Sequence, residues 1–301
     1  MPAQKTPRPR RSALYMPGAN ARALDKARTL AADCLILDLE DAVAPDAKEM
    51  ARAQICAALT QGGYGVREMI VRVNALQTPW GKEDIAALAC LPEAARPHAV
   101  LAPKISTPAD IDAVATLLPQ GVDLWIMIET PAAIFNLQAL AACRETGPLT
   151  AFCMGTNDLA KDMHAPLIEG RANMQTPLAL TLLAARQYGL IALDGVYGDI
   201  PNQTGFEDEC RQGADLGFDG KTLIHPSQID TANAVFGPSP EAIGEAEAIV
   251  AAFEDPANAG KGVVTVNGKM TELLHRDMAR HVLDMAAAID AASKNMTGDT
   301  P

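Results

Sequence analysis

Between positions 12 and 224 the chain repeats one pattern: a short apolar run, then a stretch of helical spacing. The runs fall at 12–16, 34–39, 69–73, 99–104, 124–128, 149–154, 190–194 and 220–224. Most are continuously apolar rather than alternating. Continuous apolarity means that both faces of a strand are buried, the mark of a parallel sheet covered by helices. Helices are expected at 21–32, 45–59, about 81–91, 107–118, 131–143, 177–188 and 206–216, with one more opening at His225-Pro226. Thr107-Pro108 and Thr130-Pro131 are helix starts, because Thr caps well and Pro suits the first helical position. A long loop carrying Met163, His164 and Pro166 is expected after the sixth strand. Eight β/α units over 12–236 predict an α/β fold, a TIM (β/α)8 barrel. An open doubly wound sheet is the alternative, but no G-x-G-x-x-G follows the first strand.

Beyond Phe236 the rhythm changes. A helix at 241–254, a strand at 263–266, a turn at Asn267-Gly268 and a helix at 270–292 are expected. This piece, 237–294, is too small for a core of its own, and it is read as a helical lid across the barrel or a neighbouring subunit. Residues 1–11 are read as a flexible basic arm and 295–301 as a disordered tail.

Composition narrows the class. Of 301 residues, 49% are hydrophobic and 21% charged, with a net charge of -12. That describes a globular enzyme with a large core. No basic stripe extends beyond Arg8 to Arg11, so nucleic acid is not an expected partner. Six cysteines stand far apart without a C-x-x-C pair, and five histidines show no ligand spacing. Zinc is therefore not expected, and the thiols suit a reducing, cytoplasmic setting. The start lacks the apolar stretch of a secretory signal, and no run is long enough to span a membrane.

In a parallel barrel the strand C-termini meet at one face, where chemistry is placed. Near those ends lie Glu40, Asp41, Arg72, Asn74, Lys104, Glu129, Asp158 and Asp194. Acids outnumber bases there, and crowded carboxylates resist ionising together unless a cation sits among them. Glu129 and Asp158, with water and substrate as further ligands, suit octahedral Mg2+. Arg72 suits bidentate binding of a substrate carboxylate. Each has a structural alternative. Glu129 could pair with an arginine or accept backbone N–H groups, and Arg72 could pair with Glu40 or Asp41. Lys104 could be a barrel salt bridge or, less favourably among acids, a Schiff-base lysine. Asp194 could cap a loop, His225 is a structural helix start, and His164 suits either role. No G-x-S-x-G elbow indicates an acyl-enzyme.

Seven stretches then occur in a telling order. They are Tyr15 to Asn20 (YMPGAN), Leu37 to Val43 (LDLEDAV), Val71 to Asn74 with Thr78 to Gly81, Pro103-Lys104, Ile128 to Pro131 (IETP), Gly155 to Leu159 (GTNDL) and Gly220 to Pro226 (GKTLIHP). Together they resemble the citrate lyase β-subunit-like family of the HpcH/HpaI aldolase superfamily. That family includes malyl-CoA and citramalyl-CoA lyases and (3S)-malyl-CoA thioesterase. The likeness runs from Arg11 to about Ala292.

The resemblance implies metal ligation by Glu129 and Asp158, with Mg2+ bound and Mn2+ able to substitute. It implies a substrate-binding and catalytic arginine at Arg72, supported by Glu40 and Asp41. Backbone N–H groups of Gly155, Thr156 and Asn157, and of the Pro17-Gly18 turn, are expected to help hold an α-keto or α-hydroxy acid. The family's lid motif, Gly-Lys-Met-x-Asp, here reads Gly268 to Glu272, with glutamate in place of aspartate. Glu272 is the expected acid/base, reaching a neighbouring subunit of a homotrimer or hexamer. The expected activity is Mg-dependent carbon–carbon cleavage or condensation of a CoA thioester, giving acyl-CoA and an α-keto acid. In this scheme Glu272 takes a proton from the acyl methyl group and the enolate attacks the keto carbonyl. If water is admitted, the site becomes a (3S)-malyl-CoA thioesterase. A β subunit within a citrate lyase complex, a CoA-independent pyruvate-type class II aldolase and a non-catalytic binding protein are the other readings.

Overall fold

The computed structural model describes residues 8–297, which divide into two compact units: Arg10–Phe236 and the residues from 237 onward. The expected ends of the chain therefore fall partly outside the described residues, at 1–7 and 298–301.

The larger unit is a closed barrel of eight parallel strands. These are β1 (Ser12–Pro17), β2 (Cys34–Asp38), β3 (Glu68–Arg72), β4 (Ala99–Ala102), β5 (Asp123–Ile128), β6 (Leu149–Met154), β7 (Ile191–Asp194) and β8 (Gly220–Leu223). They pair in sequence order, and β8 returns to β1 through Ser12 and Lys221. Around them run α1 (Ala21–Ala27), α2 (Lys48–Gln61), α3 (Gly81–Ala89), α4 (Pro108–Ala115), α5 (Pro131–Phe135), α6 (Leu137–Ala142), α7 (Thr156–Asp162), α8 (Gln175–Gln187), α9 (Gln203–Leu216) and α10 (Ile229–Val235).

Successive strand residues point to opposite faces, and here both faces are buried. Ala13, Ile36, Ile70, Leu101, Trp125 and Cys153 belong to one apolar cluster, inside the barrel. Leu14, Leu35, Val71, Val100, Ile126 and Phe152 belong to a second, shared with helix residues such as Ile55, Leu140 and Leu178. This is the physical origin of the unbroken apolar runs. The same alternation decides which polar residues look inward. Tyr15 follows Ala13, Asp38 follows Ile36, Arg72 follows Ile70 and Glu129 follows Met127, each by two positions. All four therefore share the lumen face at the carboxyl ends of their strands.

Several expectations need correction. Helix α1 stops at Ala27 rather than 32. The expected helix at 131–143 is broken at Asn136, whose ψ of 7° and φ of -105° leave the helical range. The stretch after β6 is not all loop: Thr156–Asp162 is helical, and Glu169–Met174 forms a short 3-10 turn. Arg10 and Arg11, read as part of a flexible arm, are tied down. Arg10 Nη2 donates to Glu68 Oε1 at 2.8 Å, and Arg11 grips Asp33 through two bonds of 2.9 Å. These pairs close the amino-terminal end of the barrel.

The second unit holds α11 (Pro240–Glu254), β9 (Val263–Val266), β10 (Lys269–Glu272) and α12 (Leu273–Thr297). Ser239 caps α11 by accepting from Ala242 N. Strands β9 and β10 form an antiparallel hairpin across Asn267 and Gly268, with φ values of 49° and 77°. Two successive positive φ angles are the signature of a type I′ turn, which Asn-Gly favours. The helix expected from 270 begins instead at Leu273, because residues 269–272 complete the hairpin. The start of the expected tail, 295–297, continues α12. Among the described residues no helix is long and apolar enough to cross a membrane.

Candidate active site

The register of the barrel builds the first part of the site. Asp38 and Arg72 are direct neighbours across the β2–β3 pair. Asp38 takes the Arg72 guanidinium in a bidentate grip, Nε to Oδ1 at 2.7 Å and Nη2 to Oδ2 at 2.6 Å. Asp38 was not singled out in the sequence, although an acid inside a buried apolar run signals a buried cation. Nη1 of Arg72 lies 2.8 Å from Glu40 Oε2 and 3.1 Å from Asp41 Oδ2. The Glu40 contact is an ion pair without hydrogen-bond alignment. Beneath the guanidinium lies the Tyr15 ring, 4.7 Å from Cζ. So many acids hold Arg72 charged, against the burial that works to neutralise it. Burial instead pushes the Glu40 carboxyl up to about 8, with Arg72 opposing and Asp41, Glu129 and Asp38 adding to the rise.

The second part joins β4, β5 and β6. Glu129 follows β5 directly and is buried, 1% exposed. Its Oε1 accepts the Lys104 backbone N–H at 2.7 Å. The Lys104 ammonium lies 3.4 Å from the same oxygen and 2.8 Å from Asp158 Oδ1, so it bridges the two acids. Burial pushes the Glu129 carboxyl upward, while Lys104 pulls it down through its charge and its N–H. Burial works to lower the Lys104 pKa, but its bond to Asp158 and the Glu129 charge outweigh this, and the net direction is up. A lysine held charged is a poor Schiff-base former. Glycine at 155 is what makes room here. A Cβ there would fall 2.4 Å from Glu129 Cβ and 2.8 Å from Oε2.

Both parts line one cavity of about 320 Å3, together with Tyr15, Asp41, Met127, Met154, Thr156, Asn157, Val196 and Ile224. A larger cavity of about 690 Å3 shares Thr156, Asn157 and Val196 with it. Glu169, Asp199, Asp208 and Glu209 line that space, and its one arginine, Arg171, is already paired. Such a lining suits a neutral chain better than a polyphosphate.

Other flagged residues fall elsewhere. The Gly18 N–H donates to Asp38 O at 2.9 Å, and Pro17 has no N–H. The turn at 17–18 thus holds β2 in place rather than offering those N–H groups to a ligand. Gly155 N–H is likewise used, bonding to Ile128 O at 3.0 Å. Thr156 and Asn157 open α7, where N–H groups have no intrahelical acceptor. Asn74 turns to Asp84, at 2.7 Å. His225 caps the next turn and hydrogen-bonds Ser227. Glu272 ends β10, its N–H donating to His275 Nδ1 at 3.0 Å.

Asp194 does more than cap its loop, where its Oδ1 accepts the Gly195 N–H at 2.7 Å. It is fully buried between Arg171 Nη1, at 2.7 Å, and Lys221 Nζ, at 3.1 Å. Glu209 on α9 completes the cluster, 2.7 Å from Lys221 Nζ and 3.3 Å from Arg171 Nε. Burial would raise the Asp194 pKa, but the two cations overcome it and the net direction is down.

Among the described residues no group of three or more His, Cys, Asp or Glu converges as a metal cage. The donors that do converge are two carboxylates already arranged around a cationic group. This fits a hard divalent ion such as Mg2+, which keeps waters and needs few protein ligands.

Comparison with known proteins agrees with this geometry. The family described as HpcH/HpaI aldolase/citrate lyase matches residues 11–226. A (3S)-malyl-CoA thioesterase of Cereibacter sphaeroides is 49% identical, over 94% of this chain and 96% of its own. An L-malyl-CoA/beta-methylmalyl-CoA lyase of Cereibacter sphaeroides is 32% identical, over 94% and 96%. The crystal structure of CitE from Mycobacterium tuberculosis, in complex with magnesium, acetoacetate and coenzyme A, superimposes with a TM-score of 0.73. It is 28% identical, with 92% of this chain and 97% of that one covered.

Proposed function

This chain belongs to the HpcH/HpaI aldolase/citrate lyase family, and from that premise we propose that it is a Mg-dependent thioesterase acting on malyl-CoA or a similar hydroxyacyl-CoA. The observation that carries the proposal is the Glu129–Asp158 pair, set around a cation beside Arg72 in one small cavity. The 49% identity to a (3S)-malyl-CoA thioesterase turns the reading from carbon–carbon cleavage toward hydrolysis. The lyase stands as the second reading, favoured by the 32% identical malyl-CoA lyase.

Glu129 and Asp158 would hold Mg2+, which would supply Lewis acidity toward the substrate acid. Arg72 presents a fixed positive charge to the same acid. Asp38 and the Tyr15 ring hold its guanidinium in place. Asp41, its exposed partner, is the one that a substrate carboxylate displaces. The N–H groups at the start of α7 add donors at the cavity wall. In hydrolysis, a water oxygen bonds to the thioester carbon, the C–S bond breaks, and the thiolate leaves with a proton. In cleavage, the hydroxyl proton is removed, the C–C bond breaks, and the CoA enolate is reprotonated. Glu272 is the proposed acid/base in either case, in the role that the resemblance assigns to the lid.

One assay separates the readings. Purified protein is incubated with malyl-CoA, with Mg2+ or with EDTA, and free thiol and glyoxylate are measured separately. Thiol with malate and without glyoxylate is expected, and EDTA stops it. Glyoxylate in step with acetyl-CoA overturns hydrolysis in favour of the lyase. Glu129→Gln is expected to lose the metal-dependent rate by at least about a hundredfold; an unchanged rate removes Glu129 from the metal. Glu272→Gln at full rate removes the lid acid.

A further inference from the structure

Lys104 sits two positions beyond β4 with φ of 57°. An unbranched L-residue rarely adopts that left-handed conformation without a reason. The consequence is visible in its contacts. Both its backbone N–H and its side-chain ammonium face Glu129, at 2.7 and 3.4 Å, and the ammonium extends to Asp158 at 2.8 Å. One residue therefore fixes the Glu129 carboxylate through the main chain and neutralises the acid pair through the side chain. The two functions are separable. The backbone bond belongs to the barrel rim, whereas the lysine side chain is 38% exposed and Asp158 is 32% exposed. The ammonium can leave for water while the N–H stays on Glu129. A lysine suits such exchange better than an arginine, because it is a compact charge on a flexible stem.

We propose that the Lys104 ammonium is a built-in counterion that holds the Glu129–Asp158 pair in the metal-free protein and is displaced when a divalent cation binds there. The inference rests on Glu129 and Asp158 being the cation ligands. It makes metal binding an exchange of one cation for another. Lys104 is then a positioning residue: it keeps two acids preformed without metal, and it lowers the affinity for the metal that replaces it.

The test uses the full chain stripped with EDTA. Mg2+ and Mn2+ are titrated calorimetrically into wild type, Lys104→Met, Lys104→Arg and Glu129→Gln, and each is melted with and without Mg2+. Lys104→Met is expected to bind Mg2+ about fivefold more tightly, the scale of one partly exposed charge pair. In EDTA it melts below wild type, and Mg2+ raises its melting temperature by more than it raises that of wild type. Lys104→Arg, which keeps the cation but yields it less readily, binds Mg2+ no more tightly than wild type. Equal or weaker Mg2+ binding by Lys104→Met overturns the proposal. If Lys104→Met does not fold, Lys104→Gln carries the same comparison. Mg2+ binding that survives Glu129→Gln unchanged sinks the metal assignment itself, a different failure from that of Lys104.

Discussion

Two clusters of charge hang on one barrel, and they are built on opposite plans. At β7 and β8, Asp194 and Lys221 are fully buried, and Arg171 and Glu209 close over them. Two acids meet two bases, and each has its partner. At β2 to β6, Arg72 and Lys104 face Asp38, Glu40, Asp41, Glu129 and Asp158. Even with Lys48 nearby, acids outnumber bases, and the surplus is concentrated where the cavity opens. The closed cluster has no unmet charge and so nothing to offer a ligand. The open cluster repels a free acid but attracts a divalent cation, and a bound cation reverses the local sign. The proposed site lies where the protein leaves its electrostatics incomplete.

The sharpest way to break this contrast is to unbalance the closed cluster. Asp194→Ala leaves two cations short of an acid in a dry site, and a loss of about 3–5 kcal/mol is expected. In a unit of this size that is a fall in Tm on the order of 10 °C, read by scanning calorimetry. A change of a degree or two would mean the cluster is not structural.

Next comes Arg72→Lys, which keeps the charge but loses the planar fork that Asp38 grips. A fall in kcat/KM of about a hundredfold is expected, with a smaller drop in Tm than Asp194→Ala causes. If activity is kept and stability is lost instead, the two clusters are alike after all.

The most diagnostic effect is confined to the pH profile. Burial holds the Glu40 pKa at about 8 against an ordinary 4.5. Between those values the folded chain keeps a proton that the unfolded chain has released. The stability this gives is full below pH 4.5 and is lost as pH rises through 8. Glu40→Gln should therefore flatten the decline of Tm between pH 5 and 8. Parallel curves for variant and wild type would show that burial does not raise the Glu40 pKa.

How much of this was legible depends on the range of the interaction. The strands were, because a doubly buried strand writes itself as a local apolar run; the sixth, 149–154, has the observed bounds. The strand-end acids and Arg72 were too, because closing a parallel barrel brings strand ends together. What escaped is long-range or conformational. Nothing local says that Arg171 will meet Asp194, twenty-three positions later. Nothing local marks the left-handed turn at Lys104, for that residue is neither Gly nor Asn. Two signals were available. Asp38 and Lys221 are charges inside buried runs, and each announced a partner without naming it. The balance between hydrolysis and cleavage was not legible, because in the proposed scheme both begin from the same bound acid. The relatives, rather than any residue pattern, moved the reading toward hydrolysis.

The glycine at 155 sets a limit on how this pocket can be remade. No side chain can be introduced there without driving Glu129 aside, so the position is closed to redesign and to drift alike. Room for variation lies instead at Ala42, Val196 and Ile224, which line the same space. A mutant library spread over those three sites would reshape the cavity while leaving the proposed metal ligands, Glu129 and Asp158, as they are. One spread over the Gly155 segment would mostly sample dead enzymes.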